Sequence, residues 1–214
     1  MSVVFDNLDV FLEGMRRTME LSVLSFILAF LLGVLVAALR VSPVPPLRWA
    51  SATFVELVRN TPLLVLLYIM VFAVPSIGFT YSYFASAVIV LTAYTATFVG
   101  ETVRSGINSV STGQAEAARA IGLTFPQVLR LVVLPQALRT VVGPLGGIFI
   151  ALLKNSGVAV AIAVPELTSA ATQVGTDTAE FIPAFLGAAA AYLLLTIPSG
   201  SVTTWLERRL AVKR

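Results

Sequence analysis

Residues 60–100 read NTPLLVLLYIMVFAVPSIGFTYSYFASAVIVLTAYTATFVG, without one charged side chain. A helix rises about 1.5 Å per residue, so about 20 apolar residues cross the roughly 30 Å core of a bilayer. This stretch is long enough to cross twice. Pro75, Ser76 and Gly78 divide it, because proline interrupts helical hydrogen bonding and glycine accepts the turn that follows. Two spans are predicted, at 50–74 and 84–105. The rest of the chain has the same character. Soluble chains carry about 25% charged residues. Here 12% of 214 residues are charged and 57% are hydrophobic, with a mean hydropathy of +0.93. Such a composition excludes a soluble globular enzyme and makes the bilayer the solvent.

Working outward, residues 21–39 form another uncharged run, closed by Arg40 and the breakers Pro43, Pro45 and Pro46. It predicts a span at 18–39, and its acidic flank and length favour a retained helix over a cleaved leader. Further spans are predicted at 141–164, which contains Lys154, and at 181–204. The chain is therefore expected to be an all-α integral membrane protein, one transmembrane domain over residues 1–214 with five spans. No internal repeat is evident.

Charge sets the orientation. With the N-terminus outside, the inner segments hold Arg40, Arg48, Arg104, Arg119, Arg130, Arg139, Arg208, Arg209, Lys213 and Arg214 against Glu116 and Glu207. The outer segments then hold Arg16 and Arg17 against Asp6, Asp9, Glu13, Glu20, Glu166, Asp177 and Glu180. Lys and Arg are retained on the cytoplasmic side, so the N-terminus is expected outside and the C-terminus inside. The pI near 9.6 then reflects topology and calls for no nucleic acid. With no Cys and no His, disulfides, thiol nucleophiles, His-based triads and the usual zinc sites are excluded, and neither metal nor cofactor is expected.

Residues 105–140 form the one long loop, on the cytoplasmic side in this orientation. Ser111 stands three residues before Gln114, the spacing of a capping box, and Gly122 can adopt the positive φ that ends a helix. Thr124 and Gln127 repeat that spacing, Leu123 and Val128 occupy staple positions, and Pro126 falls in a first turn. The loop is predicted to be a short helix, a glycine turn and a second helix running to Pro135. Ala115, Ala117, Ala118 and Ala120 leave the first helix slim enough for another surface to approach closely.

Glu116-Ala117-Ala118, followed by Gly122 and then by Val132-Val133-Leu134-Pro135, resembles the EAA loop in the membrane subunits of ATP-binding cassette importers. Val132 stands where Ile is more usual. The stretches Glu56 to Leu64, Ala93-Tyr94 through Glu101 to Ile107, Leu153 to Ser156 and Val164 to Leu167 are similar to the polar amino acid permeases of that family. Arg40 to Pro43, Gly113 to Glu116 and Arg208 to Lys213 look most like glutamate permeases. The resemblance implies a permease in a bacterial cell membrane, surrounded by membrane lipid and carrying an amino acid. Its implied partners are a second permease subunit, same or related, two cytoplasmic ATPase subunits and an extracytoplasmic solute-binding protein. Glu116, Ala117, Ala118, Gly122 and Pro135 would couple it to the ATPase. No G-x-x-x-x-G-K-[ST] is present, so ATP hydrolysis is expected in a partner and this chain is expected not to be an enzyme.

Arg59 and Lys154 fall near the middle of their predicted spans, where a cation is costly unless it meets a partner, water or a pathway. Glu56, three residues before Arg59, is one possible partner. Lys154 has no acidic residue one turn away. Asn60, Thr61 and Asn155 add hydrogen-bonding groups at this depth, and Pro62 leaves a main-chain carbonyl without its helical donor. Arg59, Asn60, Thr61, Pro62, Lys154 and Asn155 are the expected substrate route. A Glu101–Arg104 pair is expected to stabilise a helix end, as a Glu116–Arg119 pair could in the loop. Gly143 and Gly147 suggest close helix packing. Tyr68, Tyr81, Tyr83, Tyr94, Tyr192, Trp49 and Trp205 read as interface anchors and packing, and Asp177 and Glu180 as residues of an external loop. Two other classes stay open at this level: an ion-coupled carrier of a small anionic solute, and a membrane assembly subunit that transports nothing.

Overall fold

The computed structural model describes residues 2–42 and 44–210, and every regular element among them is helical. Pro43 of the breaker cluster and Lys213 and Arg214 of the basic tail lie outside the described residues.

The apolar run 21–39 is the inner part of a longer helix, α2 (Leu8–Arg40), preceded by the short α1 (Ser2–Asp6). Its polar first turns are laced by Glu13, which accepts from Arg16 Nη2 at 2.6 Å and from Arg17 Nε at 2.9 Å. Farther along, α2 buries Ser25, Ala29, Gly33 and Val36 on one face. That face packs on α5 (Tyr83–Asn108), which Ser82 caps by accepting from Ala85 N at 3.2 Å. The two backbones approach closely at two glycines. A Cβ on Gly33 would lie 2.6 Å from Val99 Cβ, and one on Gly100 would lie 2.7 Å from Val36 Cγ1. Gly33→Leu is therefore expected to lower stability by about 1–3 kcal/mol through overpacking, read as a fall in the thermal midpoint of the detergent-solubilised protein.

The predicted span at 50–74 is not one straight helix. α3 (Pro45–Asn60) and α4 (Leu63–Ile77) meet at 104°. Pro62 is the cause: it lacks an N–H and forces Thr61 into extended backbone at ψ 129°. The break is satisfied internally, as non-helical backbone at membrane depth must be. Thr61 Oγ1 donates to Leu57 O at 2.7 Å, and Pro62 O accepts from Val65 N at 2.9 Å. Gly78, at φ +93°, turns the chain toward α5.

Beyond α5 come α6 (Thr112–Ala120), α7 (Phe125–Val128), a widened turn at Leu129–Val133, and α8 (Leu134–Asn155). Pro135 was expected to end the second loop helix. It lies instead in the first turn of α8, where its missing N–H costs nothing, so the loop helix runs directly into the fourth span. After Asn155 the helix tightens over Ser156–Ile162 and reverses at Ala163, with φ +57°. The expected external loop then proves to be largely a helix, α9 (Leu167–Thr178), which leads to α10 (Phe181–Leu210).

Among the described residues, four helical segments, Leu8–Arg40, Tyr83–Asn108, Arg130–Ile162 and Phe181–Leu210, are long and apolar enough to cross a membrane, and the bent α3–α4 pair makes a fifth. One core gathers Leu21, Leu67, Leu91 and Leu152 from α2, α4, α5 and α8. A second gathers Phe11, Leu167, Val174 and Ala188 around α9. Of the predicted glycine pair, Gly143 meets the Glu207 carboxylate on α10, whereas nothing approaches Gly147. It is Gly146, against Thr203, that completes the α8–α10 contact.

Candidate translocation groove and coupling loop

Arg59 closes α3 at the bend. Its guanidinium carbon stands 4.7 Å from the centroid of the Phe98 ring on α5, and it forms no ion pair with Glu56 among the described residues. α3 packs against α5 here, and the negative face of an aromatic ring attracts the cation. Phe98 in turn leans on Tyr94, with ring centroids 5.2 Å apart. Both rings line a groove of about 310 Å³ between α5 and α8, together with Thr102, Gly147, Ala151 and Asn155.

Asn155 lines this groove, whereas Arg59, itself exposed, stacks on its Phe98 wall without lining it. Thr102 and Pro144 continue it into a second hollow of about 240 Å³, lined also by Ser105, Ser109 and Thr140. Lys154 is exposed and does not line either hollow; Asn60 is exposed, and Thr61 is committed to its own backbone. Tyr94, Phe98 and Thr102 were not singled out as site residues. Their i, i+4, i+8 spacing, a single helical stripe, was the available signal.

Below the groove, Glu101 meets Arg104 at 2.8 Å, as its spacing predicted, and also Arg40 at 3.1 Å. The second contact ties the end of α2 to α5.

The loop is built as its capping residues dictate, with one exception. Ser111 stands at the N-cap of α6, but its hydroxyl makes no capping bond. At the other end, Gly122 adopts φ +91°; its N–H reaches Arg119 O at 2.9 Å, and Leu123 N reaches Ala118 O at 3.1 Å. These two bonds form a Schellman motif. Gln127 then accepts from Thr124 N at 2.8 Å to open α7. Glu116 and Ala117 point outward, Ala118 is buried within the chain, and Ile121 is 79% exposed. Glu116 and Arg119 form no ion pair among the described residues. The helix therefore offers a slim face, a free carboxylate and an unburied Ile side chain.

Glu166, counted by sequence among the external charges, is only 1% exposed. It caps α9 by accepting from Thr168 N at 2.9 Å and Ser169 N at 2.7 Å, and it accepts from Tyr192 Oη on α10 at 2.7 Å. Burial pushes its carboxyl above the ordinary range, against the pull of these donors.

Residues 29–212 match the family model described as the binding-protein-dependent transport system inner membrane component. The chain is 38% identical over 209 residues to the probable glutamine ABC transporter permease protein GlnM of Bacillus subtilis, covering 98% of this chain and 97% of that one. It is 39% identical over 211 residues to the glutamate transport system permease protein GluC of Corynebacterium glutamicum, covering 92% of each. A crystal structure described as an amino acid ABC transporter with histidines superposes with a TM-score of 0.92 at 29% identity, over 96% of both chains. The chain belongs to the binding-protein-dependent transport system inner membrane component family, as a multi-pass permease subunit of an amino acid ATP-binding cassette transporter.

Proposed function

We propose that this single transmembrane domain carries glutamate inward along the α5–α8 groove, with its N-terminus outside and its C-terminus in the cytoplasm. The observation behind this reading is a groove that Asn155 lines together with hydroxyl and aromatic side chains, one of which, Phe98, carries the Arg59 guanidinium. A guanidinium offers a carboxylate paired donors, and an amide offers both a donor and an acceptor to the rest of an amino acid. Asn60, Thr61 and Pro62 form the bend at which Arg59 stands, and Lys154 is an exposed cation adjacent to Asn155 in the chain, outside the groove lining. An extracytoplasmic binding protein delivers substrate, and a second permease subunit closes the open side of the groove. Closure of two cytoplasmic ATPase subunits acts on α6 through Glu116, Ala117, Ala118 and the turn at Gly122, and Pro135 passes the movement into α8. Membership of the family sets aside the ion-coupled carrier and the assembly subunit.

Glutamine is the second reading, favoured by the GlnM relative at similar identity. Uptake of labelled glutamate by proteoliposomes holding the full complex, with either amino acid as unlabelled competitor, separates the two. Glutamate is expected to compete at least tenfold better; stronger competition by glutamine would overturn the choice. In the same assay Lys154→Met is expected to cut glutamate uptake about tenfold while the complex still assembles, as loss of a charged hydrogen-bond donor would. Normal uptake by that variant would remove Lys154 from the route.

A further inference from the structure

Where α8 stops at Asn155, the chain continues as the tight turns Ser156–Ile162 and reverses at Ala163. Irregular backbone at this depth persists only where protein holds it. Gly157 shows what holds it here. A Cβ at that position would lie 2.7 Å from Thr168 Oγ1 and 2.8 Å from Tyr192 Oη, so the segment is pressed directly onto the Glu166 cluster.

The cluster has a definite order of donation. Both Glu166 oxygens accept: Oε1 from Ser169 N, and Oε2 from Thr168 N and Tyr192 Oη. Tyr192 has one proton and gives it to Glu166. Thr168 Oγ1, 3.0 Å from Tyr192 Oη, must therefore be the donor in that contact. One residue away, Leu167 N donates to Thr18 Oγ1 of α2 at 3.1 Å, and Thr18 is fully buried. α2, the break after α8, α9 and α10 thus meet around the Glu166 cap, with α9 and α10 bonding its carboxylate directly. Capping α9 alone would need only a Ser, Thr, Asp or Asn. What Glu166 adds is reach, since its second oxygen extends from the cap to α10.

We propose that Glu166 and Tyr192 are positioning residues for transport, a pin that fixes the break after Asn155 against α9 and α10 and so sets where Asn155 meets substrate. This rests on the reading of Asn155 as part of the route.

Tyr192→Phe is the sharpest test, because it removes one hydroxyl and keeps the ring. The complex is expected to assemble, with a thermal midpoint lowered by no more than the loss of one hydrogen bond allows. Glutamate uptake should fall about tenfold, the size of one lost hydrogen bond to a charged group, with apparent KM rising more than maximal rate falls. Glu166→Gln should retain part of the uptake, since its carbonyl can still cap α9 while its NH₂ donates to Tyr192 Oη. Glu166→Ala should be the worst of the three. Uptake by Tyr192→Phe and Glu166→Gln within twofold of the parent would overturn the pin, as would losses arising only from failed assembly. Lys154→Met and Asn155→Ala are measured alongside. Normal uptake by both would overturn the pathway reading and the purpose of the pin together. Impaired Asn155→Ala beside unimpaired Tyr192→Phe would overturn the pin alone.

Discussion

Replacing Gly122 by valine is expected to abolish ATP-driven uptake while leaving the membrane spans folded. Gly122 holds φ +91°, a region where an L-residue is strained and a β-branched one most of all. No atom lies within 4 Å of the place a Cβ would occupy, so the effect is one of backbone conformation and not of crowding. The strain costs about 1–3 kcal/mol and is relieved if the turn opens. Opening breaks the Gly122 and Leu123 bonds to Arg119 and Ala118 and swings α6 away from α7. Because α6 is short and mostly exposed, with Ala118 its one buried residue, little packing among the described residues would restore its angle. The expected result is loss of the copurifying ATPase and an uptake reduced at least tenfold, with a smaller loss for Gly122→Ala. Uptake within twofold of the parent, with the ATPase retained, would show that the angle of α6 does not matter.

Arg59→Ala is expected to give the second large effect. The arginine contributes a cation at the bend and stacks on Phe98, an arrangement worth about 0.5–2 kcal/mol before any substrate arrives. Its loss should lower glutamate uptake at least tenfold while complex assembly persists, because Arg59 is exposed and is not part of the buried core. Arg59→Lys should recover little, since a point charge replaces a flat guanidinium that both stacks and forks. Phe98→Leu should fall between the parent and Arg59→Ala. Equal uptake by Arg59→Ala and the parent would take the cation out of the route.

These two sites differ in how openly the sequence announces them. The loop could be read because its signals are local: Gly122 needs only its own φ, and Thr124 and Gln127 are three residues apart. The spans could be read because a long uncharged run has few soluble explanations. Direction was harder. Hydropathy measures length and composition but not angle, so Thr61-Pro62 passed as a point within a span when it is a 104° corner. The partner of Arg59 lies on another helix, and only the fold brings Phe98 to it in preference to Glu56, three residues away. Glu166 was missed for a different reason. A carboxylate between two spans defaults to solvent in a charge count, yet Leu167, Ala170, Ala171 and Val174 follow it at the i, i+3, i+4, i+7 spacing of a buried helical face. That pattern was present in the sequence and would have placed Glu166 at the start of a packed helix.

Glutamate is proposed to pass through this chain when ATP is hydrolysed by partners docked on α6. The decisive experiment uses proteoliposomes containing the complete complex, loaded with ATP and supplied with binding protein and labelled glutamate. Accumulation is expected to require internal ATP, to persist when ionophores collapse every ion gradient, and to disappear in Gly122→Val. Accumulation that follows an ion gradient, or that proceeds without nucleotide, would contradict this proposal.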